Sequence, residues 1–240
     1  MKKKRNVLGL CIFLCMLMIP IVHKNSSSII ESIATHDETN ANTVSTLLQE
    51  DTSKRIVIDA GHGGYDSGSI SADGILEKDI TLSISLQVGS LLEDAGYDVI
   101  YTRESDEVSW SDDNLDDLST RVAIAENKDA AYFISIHTNS SDNYNDGAYG
   151  FETYVDYSDS TILNIAQEIS NNLTSLSYTQ DRGLKSTSDS SLYVIDKNSV
   201  PALLLEIGFM SDSDDVAYMS SELGQANIAK AIADGIQASV

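Results

Sequence analysis

The chain has 240 residues, enough for one domain with an N-terminal extension rather than two full domains. A hydrophobic share of 42% and a mean hydropathy of −0.13 suit a globular core and exclude a polytopic membrane protein. The net charge of −22 is uneven: residues 1–25 hold five Lys/Arg and no acid, so residues 26–240 carry 10 bases against 37 acids, or −27. So acidic a domain repels nucleic acid and anionic membrane surfaces, which argues against a nuclease or DNA-binding role. Otherwise the acidity reads as solubility and names no substrate.

Taken in chain order, the first element is Met1-Lys-Lys-Lys-Arg5 followed by an apolar run from Val7 to Val22 and a close at His23-Lys24. Basic residues ahead of a short apolar run have the layout of an export signal. The run falls short of the ~20 residues of a relaxed spanning helix. No small-x-small cleavage site follows, so a cleaved signal and a retained anchor both fit residues 1–24. Both cysteines, Cys11 and Cys15, lie here, and Leu10 stands where lipid attachment would need a small residue. The rest of the chain therefore has no disulfide and no thiolate metal site. Residues 25–53 are rich in Ser, Thr, Asn, Asp and Glu, which reads as a polar linker. A folded domain is expected over residues 54–240, with no internal repeat and no second module.

Within that domain Ile56–Ile58 is a short β-branched strand, followed by a Gly-rich loop from Gly61 to Gly74. Ile80, Ile84, Val88, Leu91 and Ala95 recur at steps of three and four and mark an amphipathic helix, closed by Gly96. Val99–Tyr101 reads as a strand, Glu104–Asp117 as an acidic loop containing the only tryptophan, Trp110, and Leu118, Val122 and Ala125 as one face of a helix. Tyr132–Ile136 and Phe151–Val155 are two more strands, and Ile162, Ile165, Ile169 and Leu173 a third helix. Leu192–Ile195 and Ala202–Leu205 read as further strands, and Ile228, Ile232 and Ile236 outline a closing helix. This alternation predicts an α/β class: a single domain with a mostly parallel central sheet flanked by helices.

His62 and His137 each follow a predicted strand, where ligands gather in open α/β sheets. Catalytic zinc takes neutral imidazoles, often with a carboxylate, and keeps one position for water. The surrounding Asp59-Ala-Gly-His-Gly-Gly64 removes side-chain bulk around the first histidine. Glu77, at the end of the same loop, is the natural carboxylate on position, with Asp66, Asp73 and Asp79 competing. Glu206 follows the apolar Pro201–Leu205 stretch, where a carboxylate is costly to desolvate and must find a partner. It reads as a proton-transfer group, or as a rim carboxylate paired with Arg103 or Arg121.

Four segments, Ile58-Asp-Ala-Gly-His-Gly-Gly64, Leu76-Glu-Lys-Asp79, Ile134-Ser-Ile-His-Thr-Asn139 and Pro201-Ala-Leu-Leu-Leu-Glu-Ile-Gly-Phe-Met-Ser211, resemble in order and spacing the zinc-dependent N-acetylmuramoyl-L-alanine amidases. The resemblance spans Lys54 to Val240. It implies one zinc ion held by His62, Glu77 and His137, Glu206 as the catalytic glutamate, and hydrolysis of the amide between N-acetylmuramic acid and L-alanine of the peptidoglycan stem peptide. It implies an exported protein at the cell wall, joined to the membrane only through its N-terminal segment if that is uncleaved. Many relatives carry wall-binding repeats; none is visible here, so targeting is assigned to the tether or to a protein partner or activator. Where the family has Ser-Asn after the catalytic strand, this chain has Ser211-Asp212, a change expected to be harmless. The Glu104–Asp117 loop is too short and polar to be read as a gate over the zinc. Three alternatives stand beside this reading. A serine hydrolase lacks a Gly-x-Ser-x-Gly elbow. A zinc peptidase acting on the stem peptide would differ only in product. A non-catalytic wall-binding protein would have no need of Glu206.

Overall fold

Six strands hydrogen-bond into one sheet in the order β2-β1-β3-β6-β4-β5 in a computed structural model that describes residues 54–142, 147–188 and 190–240. They are β1 Arg55–Ala60, β2 Asp98–Tyr101, β3 Tyr132–Asn139, β4 Phe151–Val155, β5 Asp181–Ser186 and β6 Ala202–Phe209. The expected export segment and linker lie outside the described residues; among these, no helix is long and apolar enough to cross a membrane. All neighbours run parallel except β4 and β6, which are antiparallel. The sheet is thus mixed, with the parallel majority that the alternating pattern implied.

Two-residue periodicity along the strands splits the core between the two faces. Ile56, Ile58, Ile134, Ile136, Leu203 and Leu205 face one side, where they are fully buried under α1 (Glu77–Asp94), α3 (Ser160–Leu176) and α6 (Glu222–Ser239). These helices present Ile80/Ile84/Val88, Ile162/Ile165/Ile169 and Ile228/Ile232/Ile236 to them. Each such side chain is worth about 1.5–3 kcal/mol when fully buried. Val57, Phe133 and Leu204 face the other side, against α2 (Asn114–Asn127) and α4 (Tyr193–Asp196). The helical cover is unequal: 18, 17 and 18 residues on the first face, 14 and four on the second.

Local chemistry sets the element ends. Gly96 N–H donates to the Glu93 carbonyl at 2.9 Å and Tyr97 N–H to that of Leu92 at 3.0 Å, closing α1 with Gly96 at φ 88°. Asp113 caps α2 by accepting from Leu115 N and Asp116 N. Asp212 caps α5 (Ser213–Met219) by accepting from Asp214 N and Asp215 N. Asp caps as well as Asn, which is why Ser211-Asp212 is a conservative departure.

Two elements differ from the sequence reading. Leu192–Ile195 is not a strand: Tyr193–Asp196 forms a helical turn, α4. Asp196 Oδ2 accepts from Leu192 N at 3.0 Å and from Ser191 Oγ, and Asp196 N donates back to the Leu192 carbonyl at 2.8 Å. A short apolar run cannot itself tell a strand from a helix, and here the aspartate closes the turn. Conversely, Asp181–Ser186 is a strand, β5, with one large apolar residue, Leu184. Being an edge, it shows no alternation in sequence.

Candidate metal centre

Strands β1, β3 and β6 run parallel, so residues at their C-terminal ends meet at one rim. His62 stands two residues past β1, His137 lies near the end of β3, and Glu206 lies in register with His137 on β6. Glu77, first residue of α1, is brought beneath the histidines by the Gly-rich loop. Loop and helix are joined by Glu77 N–H donating to the Ser69 carbonyl and Ser69 N–H to Glu77 Oε2, both 2.9 Å.

His62, Glu77 and His137 each turn one ligand atom inward, all within 4.8 Å of one another. His62 Nε2 is 3.1 Å and His137 Nδ1 3.3 Å from Glu77 Oε1, and the two imidazole nitrogens are 3.2 Å apart. The rings meet edge to face, 76° apart. On the outer side His62 Nδ1 is 2.7 Å from Asp66 Oδ2, which leaves Nε2 for the centre. The competing carboxylates thus sort themselves: Asp66 contacts the outer nitrogen of His62, and Asp73 and Asp79 are exposed. Two imidazoles and one buried carboxylate are the donor set a catalytic zinc takes, so the residues fit such an ion.

Close approach makes two glycines necessary. A Cβ on Gly61 would fall on the His137 imidazole. One on Gly68 would come within 2.6 Å of His62 Cδ2 and 2.7 Å of Glu77 Oε2, at a backbone φ of +62° that already disfavours a side chain. His62 itself has φ 61° without being glycine, a costly conformation that its surroundings must impose. Two buried arginines supply the restraint. Arg121 donates from Nη2 to the His62 carbonyl at 2.7 Å and from Nη1 to that of Ala60 at 2.8 Å. Arg103 donates to the Ala60 carbonyl from Nε at 3.0 Å and to that of Gly61 from Nη2 at 2.9 Å. Arg121 is held in turn by Asp59 at 2.8 Å, by Asp117, and by the Trp110 ring 4.4 Å away. Asp59 is fully buried and also accepts from Thr102 Oγ1 and Ser135 Oγ.

The charges follow from these contacts. Burial opposes ionisation of Glu77, but hydrogen bonds from His137 and His62 hold its carboxyl far below the usual range. Burial opposes the charge on His62, yet Glu77 and Asp66 push its pKa up to about 9. Burial likewise opposes the Asp59 charge, but Arg121, the hydrogen bonds from Ser135 and Thr102, and His137 together hold that carboxyl low. Glu206 goes the other way: burial, with the negative charges of Glu77 and Glu152 nearby, raises its pKa well above the ordinary value. The residue keeps some exposure, but its Oε2 is closed off from solvent and has no hydrogen-bond partner among the described residues. Arg103 and Arg121, its alternative partners, are committed to residues 59–62. Glu152, across from Glu206 on β4, is a further buried carboxylate at this rim.

Sequence reasoning passed over Asp59, Glu152 and the two arginines' grip on the loop. Asp59 had a readable signal, an acid in the strand Arg55-Ile-Val-Ile-Asp-Ala60. The arginines, 42 to 62 residues away from the loop residues 59–62 that they hold, had none.

The N-acetylmuramoyl-L-alanine amidase family, Amidase_3, matches residues 56–238. Protein YqiI of Bacillus subtilis (strain 168) is 39% identical over 185 residues, covering 76% of this chain and 83% of that one. The amidase AmiC2 of Nostoc punctiforme superposes with a TM-score of 0.68 at 34% identity, over 78% of this chain and 96% of that one. The CwlD amidase of Clostridioides difficile, solved in complex with the GerS lipoprotein, gives 0.67 at 30% identity, over 78% and 98%. With the family spanning the whole sheet and the ligand cluster at its rim, this chain belongs to the N-acetylmuramoyl-L-alanine amidases.

Proposed function

We propose that this protein is a zinc-dependent N-acetylmuramoyl-L-alanine amidase that hydrolyses the amide joining N-acetylmuramic acid to L-alanine of the stem peptide. His62, Glu77 and His137 hold one zinc ion, and Glu206 is the catalytic acid–base. The observation that carries this is the convergence of the three ligand atoms within 4.8 Å, with a buried, unpartnered carboxylate oxygen on the adjoining strand position. Bound zinc supplies a Lewis acid for the scissile carbonyl and lowers the pKa of water toward ~7.

The rest of the chemistry belongs to the chain. Asp66 fixes the tautomer of His62, so that Nε2 is the ligating atom. Thr138 N–H donates to Glu77 Oε1 at 2.9 Å and Ser69 N–H to Oε2, so both carboxylate oxygens are oriented. Glu206 takes the proton of the attacking water and delivers it to the departing alanine nitrogen. Burial and the nearby carboxylates shift Glu206 upward from the ordinary carboxylate range, the direction that favours returning a proton to the leaving group.

In this reading residues 1–24 export or anchor the chain, residues 25–53 tether it, and residues 54–240 work on the wall outside the cell. A protein activator or targeting partner fits the same scheme, as the CwlD–GerS complex exemplifies for a relative.

The test is digestion of purified peptidoglycan with and without a chelator, followed by mass analysis. Free stem peptides beginning with alanine, lost on chelation and restored by zinc, are expected. Cleavage within the stem would make the protein a peptidase on the same metal site. Zinc binding without any cleavage would favour a wall-binding protein.

A further inference from the structure

The rung that carries His137 and Glu206 continues across the sheet. Glu206 pairs with Glu152 on β4, and Glu152 Oε2 accepts from Arg182 Nε on β5 at 2.9 Å. Glu152 is buried, and its other oxygen accepts from Asn139 Nδ2 at 2.9 Å and the Tyr154 hydroxyl at 3.0 Å. Lys185 Nζ lies 3.9 Å from Oε2. One carboxylate thus faces two cations. A counter-ion for Glu152 alone would require one, in a chain whose residues beyond 25 hold 10 bases against 37 acids.

Arg182 is fixed on three sides. Nε is on Glu152, Nη1 donates to the Tyr149 carbonyl at 3.3 Å, and the guanidinium lies 4.8 Å over the Phe209 ring. Nη2 has no partner among the described residues, and the side chain is 34% exposed. Beside it Lys185, 38% exposed, is steadied by donating to the Arg182 carbonyl at 2.9 Å. A guanidinium held rigid with an edge to solvent, next to a second cation, is built to receive a carboxylate.

We propose that Arg182 and Lys185 form a carboxylate-binding subsite for the stem peptide, on the leaving-group side of the scissile amide, with Glu152 positioning both. The proposal rests on the amidase reading. There the departing group is alanine followed by a glutamate joined through its side chain, whose α-carboxyl is free. Backbones on β6 and β5 are two strand spacings apart, about 10 Å, which places Arg182 and Lys185 two strands from Glu206 on the same sheet.

Two soluble substrates isolate the contact: N-acetylmuramoyl-L-alanyl-γ-D-glutamyl-L-lysine, and the same tripeptide with the glutamyl α-carboxylate converted to a carboxamide. With the full chain and zinc, kcat/KM is expected to be about tenfold higher for the carboxylate, as for loss of one charged hydrogen bond, with the difference in KM. Lys185→Gln and Arg182→Gln should each collapse that ratio toward one. Arg182→Gln also removes the ion pair of buried Glu152, so Lys185→Gln is the variant that decides if it fails to fold. Equal rates on the two substrates in the wild type, or an unchanged ratio in Lys185→Gln, would overturn the subsite and leave the amidase standing. No cleavage at the muramoyl–alanine amide of either substrate would overturn the amidase reading and the subsite with it.

Discussion

At the level of single residues, the two carboxylates beside the histidines are pushed in opposite directions by what surrounds them. Imidazoles and backbone N–H groups favour the ionised form of Glu77, whereas burial and neighbouring carboxylates raise the pKa of Glu206. Replacing Glu206 by Gln should therefore retain the metal and lower kcat by about 10²–10⁴-fold, the usual worth of a positioned acid–base. Metal content and turnover measured on the same sample check this, and substantial residual turnover would sink the assignment. Asp66→Asn should instead weaken zinc binding by about 10–100-fold, as removal of a ligand's outer hydrogen-bond partner does. Protons compete with the metal for His62. Its pKa is raised to about 9, so the competing proton is held across neutral pH and released only as pH rises toward that value. Zinc affinity should climb with pH between 6 and 9 and level off above; titrations at three or four pH values decide it, and a flat profile would contradict the assignment of His62 as a ligand.

At the level of elements, the site depends on α2 as much as on the strands. Arg121 reaches from α2 to the carbonyls of Ala60 and His62 and to buried Asp59. Arg121→Met would leave Asp59 charged, buried and unpaired, a loss of about 3–5 kcal/mol, read from denaturant unfolding. The native Asp59 carboxyl lies below its unfolded value. Its ionised form therefore stabilises the fold above about pH 4 and loses that effect as pH falls through the native value. Asp59→Asn should accordingly flatten the acid limb of the stability profile. These elements also mark how far the sequence could be read. The long helices were legible because apolar residues recur at steps of three and four along each of them. The histidines and Glu206 were legible because each follows closely on an apolar run of a strand. Strand β5 was not, since an edge position relaxes the demand for alternation, and α4 was mistaken for a strand because four apolar residues fit either period. The arginine clamp joins residues distant in sequence and has no local signature.

Over the whole molecule, charge and coverage are the properties that matter. A charge of −27 over residues 26–240 repels itself at low ionic strength. Raising salt from about 10 to 150 mM shortens the screening length from about 30 to 8 Å, so the melting temperature should rise across that range. A melting temperature that falls instead would mean that surface ion pairs outweigh the repulsion. Coverage has a different consequence. Three long helices pack on one face of the sheet, and a 14-residue helix with a four-residue turn packs on the other. Alternation along the strands puts His137 and Glu206 on the thinner side, with Phe133 and Leu204. A substitution that loosens that smaller core should therefore be felt at the rim before it reaches the isoleucines of the opposite face.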